Sequence, residues 1–91
     1  MKILVCENEI YDISDFKKIK VNYVDEMLEK NDIITIEIDS LSEVFYYEDL
    51  TYSKNLESRV ANLIARSIAS NEVTDLDEIM EGFYKWVYMI N

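Results

Sequence analysis

The chain has 91 residues, 49% hydrophobic and 31% charged, so it suits one small domain and is too apolar for a disordered tail. Nineteen Asp and Glu against nine Lys and Arg give a formal net charge of −10. With no His, one Cys and one Gly, it lacks the residues for imidazole catalysis, an internal disulfide, a thiolate metal cage or a glycine-rich phosphate loop. We expect a single compact domain, 1–91, that is not an enzyme and has no catalytic residues, metal site or cofactor.

The first residues predict two strands. A short apolar run over 2–6 ends at polar Glu7-Asn8-Glu9, which is typical of a buried strand followed by a turn, and 10–13 returns as a second strand. Cys6 is expected to act as a small buried hydrophobe. The opening run is too short for a signal peptide, and no stretch approaches the roughly 20 apolar residues of a membrane span. We therefore expect a cytoplasmic protein.

The middle of the chain predicts one helix and one clear strand. Asn22 can cap a helix that runs to Lys30, with two acids in its first turn. The segment 14–20 before it is either an earlier turn of helix or a loop. Isoleucines alternate with polar residues over 33–39, which predicts a half-buried strand, and a further short strand is expected over 44–47.

The C-terminal part predicts two helices. Apolar residues recur at helical spacing over 55–70 and again over 75–90. Ala61, Ala65 and Ala69 add a stripe of small side chains that, met by Gly82, would let the helices approach closely. An antiparallel helical hairpin follows from this pattern.

Local signals at the second helix support its boundaries. Thr74 is predicted as the N-cap with Asp77 at the third helical position, and Glu81 and Lys85 are predicted to pair on the exposed face. The expected fold class is α+β: a small, mostly antiparallel sheet with one helix in the N-terminal half and a C-terminal helical hairpin.

Fifteen of the nineteen acidic residues are grouped in three runs without an intervening base. The runs are Glu7, Glu9, Asp12 and Asp15; Asp32, Glu37, Asp39, Glu43, Glu48 and Asp49; and Glu72, Asp75, Asp77, Glu78 and Glu81. Such a surface disfavours direct binding of nucleic acid, because phosphates require Lys and Arg. It favours a basic partner, toward which complementary charge steers the encounter.

Aromatic residues lie beside the second acidic run, over 45–52. Tyr and Trp are enriched at interface hot spots, and neighbouring acids suit a partner rich in Lys and Arg. The predicted partner-binding residues are Glu37, Asp39, Glu43, Tyr46, Tyr47, Glu48, Asp49 and Tyr52. The alternatives are that the tyrosines close the core, that Glu37 and Asp39 are a solvated sheet face or share a cation, and that the acidity serves solubility alone.

In size, charge and the acidic–aromatic mixture of Glu43–Tyr52, the chain resembles the small, acidic, His-poor inhibitors that phages use against bacterial defence systems. Anti-CRISPR proteins that imitate DNA are the nearest comparison. The resemblance covers the character of the whole chain and includes no shared motif, so no functional residue is carried over by position. It implies a non-enzymatic inhibitor that blocks a nuclease effector where it would grip DNA, in the host-cell cytoplasm.

A plain interaction module is the competing hypothesis. An antitoxin, an adaptor or a homodimeric subunit would bind through apolar helix faces, with Tyr84, Tyr88 and Met89 as candidate contacts. Measuring partner affinity at different ionic strengths distinguishes the two hypotheses. A charge mimic loses affinity steeply as salt increases, whereas the affinity of an apolar interface barely changes.

Overall fold

The structure, a computed structural model, describes residues 1–24, 32–49 and 56–90, and the fold is α+β. In chain order the elements are β1 (Ile3–Cys6), β2 (Glu9–Asp12), β3 (Ile19–Val24), β4 (Asp32–Ile38), β5 (Val44–Asp49), α1 (Glu57–Ser70), β6 (Val73–Asp75) and α2 (Leu76–Ile90). Neither of these two helices combines the length and the apolarity needed to cross a membrane.

The described strands form two three-stranded sheets. β3, β4 and β5 make an antiparallel meander with β4 at its centre. In the other sheet β1 is central, antiparallel to β2 and parallel to β6. The sequence predicted a single, mostly antiparallel sheet, so the second sheet and its parallel pair are corrections. A three-residue strand such as β6 is too short to show a period of its own.

The hydrophobic core lies between the sheets and the helices. On β4 the predicted alternation is confirmed, since Ile34, Ile36 and Ile38 are at most 3% exposed. α1 contacts β3 and α2 contacts β1. The buried stripe of α1 has residues four apart, as an amphipathic helix requires: Val60, Ile64 and Ile68.

The start of α1 contacts the end of α2, but β6 lies between the two helices in the chain, so the predicted helical hairpin is not matched exactly. Near the start of α1, the Arg59 guanidinium lies 3.5 Å from the centroid of the Trp86 ring near the end of α2. At the other end of α1, Nζ of Lys2 donates to the carbonyls of Ile68 at 2.6 Å and Asn71 at 2.9 Å. The last turn of α1 has no basic residue of its own. An ammonium group from the residue just before β1 therefore stabilises the negative end of this helix.

The predicted helix from Asn22 to Lys30 is wrong at its start. Asn22 lies inside β3 and pairs with Thr35 of β4, while residues 25–30 lie outside the described residues. Apolar and polar residues alternate along β3, and pairing with the isoleucine-rich β4 outweighs a local capping signal. Residues 14–18 form a turn and loop, which was one of the two alternatives for 14–20, whereas Ile19 and Lys20 belong to β3 and fit neither alternative.

The predicted N-cap of α2 is also wrong by one residue. Oδ1 of Asp75 accepts a hydrogen bond from the Glu78 amide at 3.1 Å, so Asp75 caps the helix. Thr74 is buried in β6, where its hydroxyl accepts from the Ser67 hydroxyl at 3.3 Å. Pairing with β1 holds Thr74 in an extended strand and moves the cap onward.

Close helix packing at Gly82 is a further correction. A Cβ atom added to Gly82 would meet no atom within 4 Å, so no neighbour requires glycine there. The predicted pair on the exposed face of α2 is confirmed, with Nζ of Lys85 3.5 Å from Oε1 of Glu81.

Candidate functional site

An open cleft of about 280 Å³ lies between the β1–β2 turn and β5. Carboxylates and aromatic rings line it, and within the described part of the chain no Lys or Arg does. We call it the acidic cleft and define it by Glu7, Glu9, Tyr11, Glu43 and Tyr46. Three of these residues come from the N-terminal hairpin and two from the β5 region, so only the folded chain assembles the cleft.

The turn that carries Glu7 has a left-handed backbone. Glu7 and Asn8 have φ of 51° and 67°, and Cys6 pairs with Glu9, which is the pattern of a two-residue type I′ hairpin. Asn tolerates this conformation, whereas a residue such as Glu is destabilised in it by about 1–2 kcal/mol. The Glu7 amide donates to Oδ2 of Asp77 at 2.8 Å, so α2 holds the turn in place. A carboxylate therefore occupies a position where glycine or asparagine would be less strained.

Tyr11 brings two carboxylates together. Its Oη lies 2.5 Å from Oε2 of Glu9 and 2.7 Å from Oε2 of Glu43. A phenol has one proton, so it donates to one of these oxygens at a time. The bonds to Glu9 and then to Glu43 raise the pKa of Tyr11 above its ordinary value, which keeps the hydroxyl protonated. A cationic group placed here would relieve the repulsion between the two carboxylates.

Behind the acidic cleft, Asp77 of α2 joins β1 to β5. Its Oδ1 accepts from Oη of Tyr47 at 2.7 Å and from Sγ of Cys6 at 3.7 Å. Sγ of Cys6 and Oη of Tyr47 are themselves 3.2 Å apart. Tyr47 is half-buried, and its hydroxyl belongs to this internal network, so its contribution to a partner surface is limited to part of its ring.

Burial sets the protonation of this network. Desolvation raises the pKa of the Cys6 thiol to about 11, and it also raises the pKa of Tyr47 far above its ordinary value. Burial opposes ionisation of Asp77, but the bonds from the Glu7 amide, Tyr47 and Cys6 outweigh it and lower the pKa of that carboxyl. The network is one carboxylate with neutral donors, and Cys6 is no nucleophile at neutral pH.

Glu37 and Asp39 lie in a separate depression of about 290 Å³ that also includes Lys18 and Lys20. Glu37 is the cross-strand partner of Lys20. Oδ1 of Asp39 accepts from the Lys17 amide at 3.1 Å, and this bond lowers the pKa of the carboxyl. Basic neighbours therefore offset these two predicted site residues. Glu43 borders this depression as well as the acidic cleft, whereas Glu7 and Glu9 do not border it.

The other predicted site residues follow β5 and the segment after it. Tyr46 is 64% exposed, on the opposite face of the strand from the core. Glu48 is exposed, and its carbonyl accepts a hydrogen bond from the hydroxyl of Tyr84 on α2. Asp49 ends β5, and Tyr52 lies outside the described residues. β5 therefore borders the acidic cleft at its start and contacts α2 near its end.

The predicted site omitted Glu7, Glu9 and Tyr11. The acidic run that contains both glutamates was visible in the sequence, and the i, i+2 spacing of Glu9 and Tyr11 on β2 was a signal for a shared face. Their approach to Glu43 depends on the hairpin packing beside β5, which has no local signal. Across residues 1–24, 32–49 and 56–90, no group of three or more His, Cys, Asp or Glu side chains is placed to hold a metal ion.

Comparison with known proteins does not assign the chain to a family. The sequence matches no protein-family model and no curated protein, and no solved structure matches it. The geometry and charge of the acidic cleft are therefore the basis for a functional inference.

Proposed function

We propose that this protein is a non-enzymatic inhibitor that binds the basic nucleic-acid-binding cleft of a bacterial defence nuclease, such as a CRISPR effector, and blocks access of DNA by charge mimicry. One observation carries the proposal: Glu7, Glu9 and Glu43 surround one opening that, among the described residues, no basic side chain lines. Carboxylates held at fixed positions can replace phosphates against the Lys and Arg side chains of such a nuclease.

Two energetically unfavourable features of the acidic cleft indicate that its carboxylates serve binding rather than solubility alone. Glu7 keeps a left-handed backbone, and strained residues of this kind cluster at functional sites. Glu9 and Glu43 both approach Oη of Tyr11, which holds two like charges close together. A surface selected only for solubility would place its acids apart, at positions without strain.

Tyr46 supplies an apolar contact beside these charges. Its ring is 64% exposed on a strand whose backbone is fixed by pairing with β4. An exposed tyrosine contributes contact area with little loss of side-chain entropy because it has only two χ angles, and its face can receive a guanidinium group of the partner. Arg-rich nuclease clefts offer such groups.

The test is capture of partners from a bacterial lysate with the tagged protein, at low and high salt, followed by mass spectrometry. The proposal predicts recovery of a nuclease or another DNA-handling protein that is lost at high salt and displaced by added DNA. A salt-resistant partner without a nucleic-acid function, or recovery of only this chain, would refute it.

Two triple variants of equal net charge show whether the acidic cleft is the contact. The cleft variant combines Glu7→Gln, Glu9→Gln and Glu43→Gln, and it should abolish capture of the nuclease. The control variant neutralises three exposed acids elsewhere: Asp15→Asn, Glu72→Gln and Glu81→Gln. Equal loss in both variants would mean that overall charge, rather than the acidic cleft, drives binding.

An interaction module remains the second candidate, and a groove between α1 and α2 favours it. The groove has a volume of about 660 Å³ and includes Leu63, Ile79 and Trp86 among its lining residues. At the end of α2, Tyr88 and Met89 are 63% and 86% exposed. A partner bound by these helices would be retained at high salt and by the cleft variant.

A further inference from the structure

The outer edge of β5 borders the acidic cleft. β5 is an outer strand of the meander, paired with β4 on one side only, and residues 44–47 line the acidic cleft. An edge strand presents peptide groups that can pair with another chain. Only peptide groups that point away from β4 are available to pair with another chain at this edge.

A hydrogen bond next to β3 and β4 fixes these directions. The Asp39 amide donates to the Lys18 carbonyl at 3.2 Å, which extends the β3–β4 ladder by one directly opposed pair. In an antiparallel ladder the bonding direction alternates from one residue to the next. Glu37 and Thr35 therefore direct their peptide groups toward β3, and Ile36 between them bonds to Phe45 of β5.

The partners of Glu37 and Thr35 on β5 are Val44 and Tyr46. Their peptide groups consequently point away from β4, toward the outer edge. The carbonyl of Glu48, two residues further, agrees with this alternation, because it accepts from the Tyr84 hydroxyl outside the sheet. The edge beside the acidic cleft thus offers the N–H and C=O groups of two successive outward-facing residues.

Charge decides which chain would occupy this edge. A second copy of this protein would bring another net charge of −10 against Glu43 and Glu48, so acidic residues protect the edge from self-pairing. An extended basic segment would instead be attracted to these carboxylates. Because side chains alternate between the two faces of a strand, those on one face of the segment would reach the acidic cleft.

We infer that the acidic cleft receives an extended basic segment of the partner, which adds as a strand to the outer edge of β5 and places an Arg or Lys side chain against the carboxylates of Glu9 and Glu43. This rests on the proposed function and specifies the part of the partner that is held. Main-chain hydrogen bonds to Val44 and Tyr46 supply affinity, and the carboxylates select a basic sequence.

Amide exchange with a defined probe tests the strand addition. The probe is an eight-residue peptide of alternating Arg and Val, and its control is the same peptide N-methylated at every amide, which keeps the charge and leaves no peptide N–H on either edge of the strand. On addition of the probe, amide exchange at Val44 and Tyr46 should slow about tenfold or more. Phe45 and Tyr47 already bond to β4 and serve as internal references. Equal binding of both peptides, or unchanged exchange at saturation, would overturn the inference.

Two substitutions at one position give an independent test. Tyr46→Pro removes an outward N–H without removing a ladder bond to β4, whereas Tyr46→Ala removes the ring and keeps the N–H. Tyr46→Pro should bind the probe about tenfold more weakly than Tyr46→Ala, a difference of about 1.4 kcal/mol. Equal affinity of the two folded variants would overturn strand addition. If Tyr46→Pro does not fold, the comparison of the probe with its N-methylated control still tests strand addition.

A charge variant separates this inference from the proposed function. Glu9→Gln combined with Glu43→Gln should weaken probe binding and remove most of its salt dependence. If this variant binds normally, the charge basis of the acidic cleft is overturned, and the proposed function falls with it. If it loses binding while Tyr46→Pro binds as Tyr46→Ala does, only strand addition is overturned.

Discussion

Asp77→Ala should lower the free energy of unfolding by about 2–3 kcal/mol at pH 7. The carboxylate accepts from the Glu7 amide at 2.8 Å, the Tyr47 hydroxyl at 2.7 Å and the Cys6 thiol at 3.7 Å. A hydrogen bond to a charged group contributes about 1.5–3 kcal/mol, but Asp77 is only half-buried, so solvent screening reduces the sum. Once the carboxylate is gone, buried Cys6 and half-buried Tyr47 keep their mutual contact at 3.2 Å and the exposed Glu7 amide can bond to water, so the expected loss is smaller than the sum of the three bonds.

The pH dependence gives this prediction a second part. The pKa of Asp77 is lowered in the folded protein from an ordinary value of 3.8, so its contribution is complete well above that value. It is lost as the pH falls through the lower folded-state pKa. The difference between the original protein and Asp77→Ala should therefore be equal at pH 7 and pH 6, and it should shrink as the pH falls below 3.8.

Urea unfolding followed by circular dichroism measures both parts. Asp77→Asn is the matched control, because it keeps the side-chain volume and one acceptor oxygen and should cost about half as much as Asp77→Ala. Tyr47→Phe, combined with Asp77→Ala in a double-mutant cycle, should show a coupling of about 1 kcal/mol. A loss below about 0.5 kcal/mol at pH 7, or a difference that does not change with pH, would refute the reasoning.

Three further substitutions test separate parts of the fold by thermal or urea unfolding. Lys2→Met removes the donor to the last carbonyls of α1 and should cost about 1–2 kcal/mol, whereas exposed Lys17→Met should be neutral; equal effects would contradict the capping role. Glu7→Asn should stabilise the type I′ turn by about 0.5–1 kcal/mol and weaken partner binding, and an unchanged affinity would remove Glu7 from the contact. Gly82→Ala meets open space inside α2 and should stabilise by about 0.5–1 kcal/mol, and a loss of stability would mean that the groove requires glycine.

Elements with a long, regular period were predictable from the sequence. β4 and both helices show their apolar spacing directly, and the structure confirms them with small shifts at the ends. β3 was mistaken at Asn22 because a capping residue followed by acids is a strong local signal, whereas the pairing that overrides it comes from β4. β6 was missed because its three residues become a strand only through their contact with β1.

The acidic cleft was predictable in part. Glu43 and Tyr46 were identified because acids and aromatics adjoin along β5, and both line the cleft. Glu9 and Tyr11 were not, since the hairpin that carries them meets β5 only in the folded chain. Asp77 was interpreted as part of a helix cap, although its carboxylate bonds to β1 and β5. Distances between elements, rather than residue types, were the missing information.

The parallel pairing of β1 with β6 has a consequence for the order of folding. Ile3 pairs with Val73, so the first strand can complete its sheet only after nearly the whole chain has emerged during synthesis. The β1–β2 hairpin and the β3–β5 meander close short loops and can form earlier, whereas this contact joins residues 70 positions apart and is entropically costly. Until then the edge of β1 stays unpaired and open to aggregation. Chains truncated before residue 73 should therefore be recognised as incomplete by proteases and chaperones, although they contain most of both sheets.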